Sequence, residues 1–92
     1  MSGVAWLWRR RRQAFQRVFG SDDGHVVLGQ LRHDCYMDRS AWSSDPYEMA
    51  ARIALQDLYR KIISHTNVTD EQIDYAVITS QRQSNMGVTN NG

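Results

Sequence analysis

Apolar residues recur at helical spacing in four stretches of the chain. In the first, Leu7, Trp8, Ala14, Phe15, Val18 and Phe19 share one side, and Arg9, Arg10, Gln13, Gln16 and Arg17 lie mostly on the other. The spacing predicts a helix from about Val4 to Phe19, closed by Gly20 at its C-cap. Ser21 and Asp22 then offer side-chain acceptors to free N–H groups. Asp22 and Asp23 add negative charge at the positive end of a second helix. Its stripe is Val27, Leu28, Leu31 and Cys35. Gly24 and Gly29 interrupt it, and each weakens a helix by about 1 kcal/mol relative to Ala. Glycines so placed mark close packing against another helix.

Residues 37–45 form a polar loop with one large apolar group, Trp42. Asp45-Pro46-Tyr47-Glu48 opens a third helix: Asp45 is the N-cap, Pro46 the first helical residue, and Glu48 reaches back to the cap N–H. Tyr47, Ala50, Ala51, Ala54, Leu55, Leu58 and Ile62 make its stripe as far as His65, widened by Met49, Ile53 and Ile63. Thr69-Asp70-Glu71-Gln72 is a second capping box, followed by a short helix with Ile73, Ala76 and Val77 to about Gln81. Residues 82–92 are polar, and a disordered or partner-ordered tail is expected. No alternating stretch is long enough for a strand. The expected fold is all-α, a small bundle of three main helices and a short fourth. It divides into a basic aromatic arm (1–20), a helical body (21–81) and a tail (82–92).

Length limits the function. The chain has 92 residues, 41% of them hydrophobic. That is one domain at most, too short for a barrel or a full dinucleotide fold. Its independent stability is about a few kcal/mol, so a partner or self-association would help it. A single cysteine excludes an internal disulfide and a Cys-rich zinc site and fits a reducing cytosol. No apolar run reaches the roughly 18 residues of a membrane span. The N-terminus places apolar residues before arginines, the reverse of an export signal.

Chemistry is sparse. His25 and His33 are eight apart, about 12 Å along a helix, too far to share a metal ion. His33, Asp34 and Cys35 are consecutive and point in different directions. Cys35 lies on the stripe with Leu28 and Leu31, where a small buried thiol is the ordinary reading, although a Cys–His nucleophile is the sharper one. The segment Gly20–Gly24 is acidic and caps a helix, so it does not cradle phosphate. Asp22 and Asp23 as a cation site is the lesser reading. No catalytic pairing, metal set or cofactor fingerprint is present, and the expectation is a non-enzymatic protein without cofactors.

Charge placement carries more. Residues 1–20 hold five arginines and no acid, for +5; residues 21–92 hold six bases and ten acids, for −4; the whole is +1. A cationic arm on an acidic body suggests a polyanionic partner, or the acidic body of the next copy. Within the arm, Trp6, Trp8, Arg9, Arg10, Arg11, Arg12, Phe15 and Arg17 are the candidate partner-binding residues. Three partners suit them. The aromatic stripe can dock on a protein partner with the arginines solvated or paired to acids; since four adjacent arginines cover every side of a helix, a groove with acidic or phosphate groups is favoured over a purely apolar one. Arginines on phosphates with tryptophans on bases suit nucleic acid. A basic helix with aromatics on its far side suits a membrane interface.

The run Arg12-Gln13-Ala14-Phe15-Gln16-Arg17-Val18-Phe19-Gly20-Ser21-Asp22-Asp23-Gly24-His25-Val26-Val27-Leu28-Gly29-Gln30-Leu31, with Cys35 after it and Asp45-Pro46-Tyr47 before a long helix, resembles a family of small proteins of short-tailed bacteriophages. The resemblance covers about residues 8–64. Helix three, Glu48–Leu55, departs from the small polar pattern of that family. The resemblance brings no catalytic residues. It implies a phage protein, made in the host cytoplasm and carried in the virion as a minor structural component. Such a protein would sit in several copies against larger structural proteins at the portal, the head interior or the head–tail junction, with a role in DNA ejection among those open to it. The alternative is a nucleic-acid-binding packaging or regulatory accessory using the same arginine-rich helix.

Overall fold

The caps set the helix starts. The computed structural model describes the backbone of residues 2–91 and the side chains of residues 6–83. Its elements are α1 (Ser2–Phe19), α2 (Asp22–Asp34), α3 (Pro46–Ser64) and α4 (Asp70–Asn91), with no strand among the described residues. Ser21 caps α2, its hydroxyl accepting from the Gly24 N–H at 3.0 Å and donating to the Val18 carbonyl at 3.0 Å. Asp45 caps α3 by accepting from the Tyr47 N–H at 2.9 Å. At α4 the capping box is reciprocal: the Thr69 N–H donates to Gln72 Oε1 at 2.8 Å, and the Gln72 N–H to Thr69 Oγ1 at 3.3 Å.

One cap differs from expectation. Glu48 does not reach back to the Asp45 N–H, which donates to Ser43 Oγ at 3.2 Å instead. Glu48 accepts from Ser43 at 3.2 Å and pairs with Arg52 one turn on. The i,i+4 guanidinium is the stronger partner for a carboxylate.

Helix α2 ends in a Schellman motif, with the Tyr36 N–H on the His33 carbonyl at 3.1 Å and the Met37 N–H on the Arg32 carbonyl at 3.0 Å. Tyr36 occupies the left-handed position usually given to glycine, at φ 61°. Neighbours hold it there. The Arg39 and Arg52 guanidinium groups lie 4.0 and 4.9 Å from its ring centroid, and its carbonyl accepts from Gln56 Nε2 at 2.8 Å.

Packing centres on α2. Its glycines let two helices approach. A methyl group at Gly29 would collide with the Val77 side chain of α4, and one at Gly24 with the backbone of Val18 and Phe19 at the end of α1. The two glycines therefore mark close contacts, as their position inside a helix suggested. Leu28 on α2 and Ile73 on α4 are fully buried, and Cys35, Tyr59 and Thr66 are buried as well.

The rest of the chain is covered thinly. The apolar stripe expected to anchor α3 faces water: Tyr47 is 87% exposed and Leu58 51%. Met49, Arg52, Gln56, Tyr59 and Ile63 face inward instead. The inward face is amphipathic because Arg52 and Gln56 spend their polar ends on the loop between α2 and α3: Arg52 donates to the Trp42 carbonyl at 3.1 Å and Gln56 to that of Tyr36.

Helix α4 is longer than the short fourth helix expected, since no proline or glycine pair stops it near Gln81. The expected unstructured tail falls mostly on residues 84–92, outside the described side chains.

The radius of gyration is 16.8 Å, against about 12 Å for a compact domain of this length. The accessible surface is 7173 Å², against about 5,500 Å² for a compact protein of this mass. Both follow from helices packed on one side only.

Candidate docking arm

Among the described residues, helix α1 meets the body through its last turns. Phe15, Gln16 and Phe19 are half-buried; Leu7, Trp8 and Val18 are exposed, although the spacing placed them on the same apolar side. Gln16 takes the inward place of Val18 because Gly24 brings α2 against the Val18–Phe19 backbone rather than against the Val18 side chain. Phe15 packs on Phe19 at 5.9 Å between ring centroids and on His65, the α3 C-cap, at 5.1 Å. That contact leaves a groove of roughly 420 Å³ lined by Trp8, Arg9, Arg11, Arg12, Phe15 and His65.

The first turns carry the expected partner-binding residues into solvent. Trp6 and Trp8 are each 58% exposed. Arg10 lies 5.5 Å over the Trp6 ring and Arg11 5.3 Å over Trp8, so each aromatic face already holds a guanidinium. Arg9, Arg10, Arg11, Arg12 and Arg17 are exposed, and among the described residues none has a carboxylate partner. The body is the opposite. Arg32 pairs with Asp74 at 2.7 Å, Arg39 with Asp38 at 3.0 Å, Arg60 with Asp57 at 3.0 Å, and Arg52 with Glu48.

Other candidate chemistry is quiet. Cys35 is buried, and burial with the neighbouring Asp34 pushes its thiol pKa up, away from nucleophilic use. His33 bonds Asp38 at 2.8 Å, a hydrogen bond that holds the Asp38 carboxyl below its usual range. No cluster of His, Cys, Asp and Glu able to hold a metal ion occurs among the described residues. No described helix is long and apolar enough to cross a membrane. Tyr59 is a group that the spacing missed. It is 4% exposed, and its hydroxyl has no partner among the described residues.

Residues 15–76 match the family described as Bbp19-like phage proteins. The chain belongs to that family. The match is shifted toward the C-terminus relative to the 8–64 span of the resemblance. It takes in the last turns of α1, all of α2 and α3, and the first turns of α4. It thus contains Gly24, Gly29 and the caps, stops one residue short of Val77, and leaves out Trp6, Trp8 and the Arg9–Arg12 run. The family therefore describes the body and is silent on the exposed start of the arm. No curated protein and no solved structure matches the chain.

Proposed function

We propose that this Bbp19-like phage protein is a non-enzymatic minor structural component of a short-tailed bacteriophage virion, docked in several copies on a larger virion protein at the portal, the head interior or the head–tail junction. Helix α1 is the docking element. The observation that supports this is the contrast in arginine partners: four body arginines are each paired with a carboxylate, and five arm arginines have none among the described residues. Unpaired, closely spaced guanidinium groups beside two exposed tryptophans form a surface rich in the residue types that dominate interface energetics. The fitting partner is a groove that offers carboxylates along its rim and an apolar floor. Removing residues 1–12 tests the reading. The truncated chain keeps its helical circular dichroism per residue and disappears from purified virions; normal incorporation refutes a docking role for the arm.

The stacked Arg10–Trp6 and Arg11–Trp8 pairs also favour a second reading, in which the arm binds nucleic acid during packaging. Five phosphate contacts give a log–log salt slope of about −4 to −5. A flat salt profile, or no DNA binding at low salt, ends that reading and leaves the first intact.

A further inference from the structure

The groove between α1 and the end of α3 mixes two chemistries. Arg9, Arg11 and Arg12 bring three guanidinium groups to it, Trp8 and Phe15 bring aromatic surface, and His65 closes it from the α3 C-cap. Among the described residues no carboxylate lines it, and none of the three arginines is paired. Positive charge is thus concentrated against apolar walls with no acid of the described chain to meet it.

Size and stacking narrow the ligand. A volume of roughly 420 Å³ lies near the lower end of ligand clefts, which run from about 300 to 1,000 Å³. It takes a side chain or two, not a helix or a duplex. Each ring at the groove already carries a neighbour: Arg11 lies 5.3 Å over Trp8, and Phe15 packs on Phe19 and His65. A base stacking inside the groove has to displace one of them. A carboxylate meets the guanidinium groups where they stand, and their planar fork matches its two oxygens. An apolar side chain beside that carboxylate covers what is left of Trp8, which is 58% exposed.

We propose that this groove binds an acidic side chain flanked by an apolar one, presented by a segment of the protein on which α1 docks. The proposal rests on the docking role of α1 and adds that the site is composite. Its second wall is His65 of α3, so the Phe15–His65 contact, 5.1 Å between ring centroids, belongs to the binding site.

The probe is acetyl-Glu-Leu-Glu-Leu-amide, titrated into the full isotope-labelled chain and followed by nuclear magnetic resonance. The Trp8 indole and His65 ring signals shift together and saturate, while the Trp42 indole, near the opposite end of α3, stays in place. Arg12→Gln weakens binding about tenfold, through loss of a charged hydrogen bond. It leaves circular dichroism unchanged, since Arg12 is exposed. Acetyl-Gln-Leu-Gln-Leu-amide, which lacks the carboxylates, produces no shift. Equal binding of the two peptides, an affinity untouched by Arg12→Gln, or shifts confined to the arm with His65 unmoved overturns the proposal. So does hexathymidylate binding more tightly at the same two signals, which assigns the groove to phosphate. Failure of the groove and failure of docking are separable. A chain without residues 1–12 that is lost from virions, while the natural chain ignores the acidic peptide, keeps the docking role and removes the groove. Normal incorporation of that truncated chain, with peptide binding to the natural chain intact, removes the docking role and keeps the groove's ligand.

Discussion

Helices α2 and α3 respond to opposite signals. α3 has the more regular apolar stripe, good helix formers and a proline-led cap, yet Leu58, Leu55 and Ile53 on it face water. α2 is shorter, with two glycines that cost it helix propensity, yet it buries Leu28 completely and touches both α1 and α4. An apolar stripe says that a helix can be covered. Missing Cβ atoms decide which neighbour comes close enough to cover it. In this chain the close approaches are Gly29 to Val77 and Gly24 to the Val18–Phe19 backbone, and both belong to α2.

The contrast is open to direct attack. Ile73→Ala empties a fully buried site on α4 and costs about 2–5 kcal/mol, enough to unfold most of a chain this small in a urea titration. Leu58→Ala on the bare face of α3 changes the stability read from the same titration by no more than about 0.5 kcal/mol. Equal losses at the two sites would erase the distinction. Next in size is Gly29→Ala. Propensity alone makes it stabilising by about 1 kcal/mol. The added methyl meets Val77, so the expected result is a net loss of about 1–3 kcal/mol from overpacking. A gain in melting temperature would show that α2 and α4 do not close as described.

Smaller than the Gly29→Ala loss is the effect of Tyr59→Phe. The substitution removes a buried hydroxyl with no partner among the described residues and raises stability by about 1 kcal/mol. Burial pushes the Tyr59 phenol pKa up from its ordinary value. The folded state thus keeps its proton where the unfolded chain loses it. The contribution is complete below about pH 10 and is lost as pH rises through the raised value. The Phe variant should therefore show a shallower loss of stability on the alkaline side. An unchanged alkaline limb means the hydroxyl reaches water.

The helices were legible in the sequence because their ends are written locally. Ser21, Asp45-Pro46 and the Thr69–Gln72 pair each satisfy N–H groups within a few residues, and the structure uses all three. The α2 stripe was legible in part: Leu28 and Cys35 are buried and Leu31 half-buried, whereas Val27, placed on the same stripe by its spacing, is 48% exposed. What was not legible depends on residues far apart in the chain. Arg52 and Gln56 lie off the α3 apolar stripe, and nothing local shows that the Trp42 and Tyr36 carbonyls wait for them. That choice rotates α3 and exposes its stripe. Tyr36 in a glycine position carries no signal either, because the two guanidinium groups that hold it come from different segments. In the arm, spacing identified the aromatic and basic residues. It could not show that, among the described side chains of the arm, Phe15, Gln16 and Phe19 would be the half-buried ones.

The central claim is that this protein is packed around α2 and α4 while the first turns of α1 are left for something else. Residue-resolved amide hydrogen exchange on the isolated chain measures it most directly. The account predicts that amides near Leu28 and Ile73 exchange only through global unfolding, while those of residues 6–12 exchange nearly as fast as an open helix. Protection of residues 6–12 equal to that of the α2–α4 seam would contradict it.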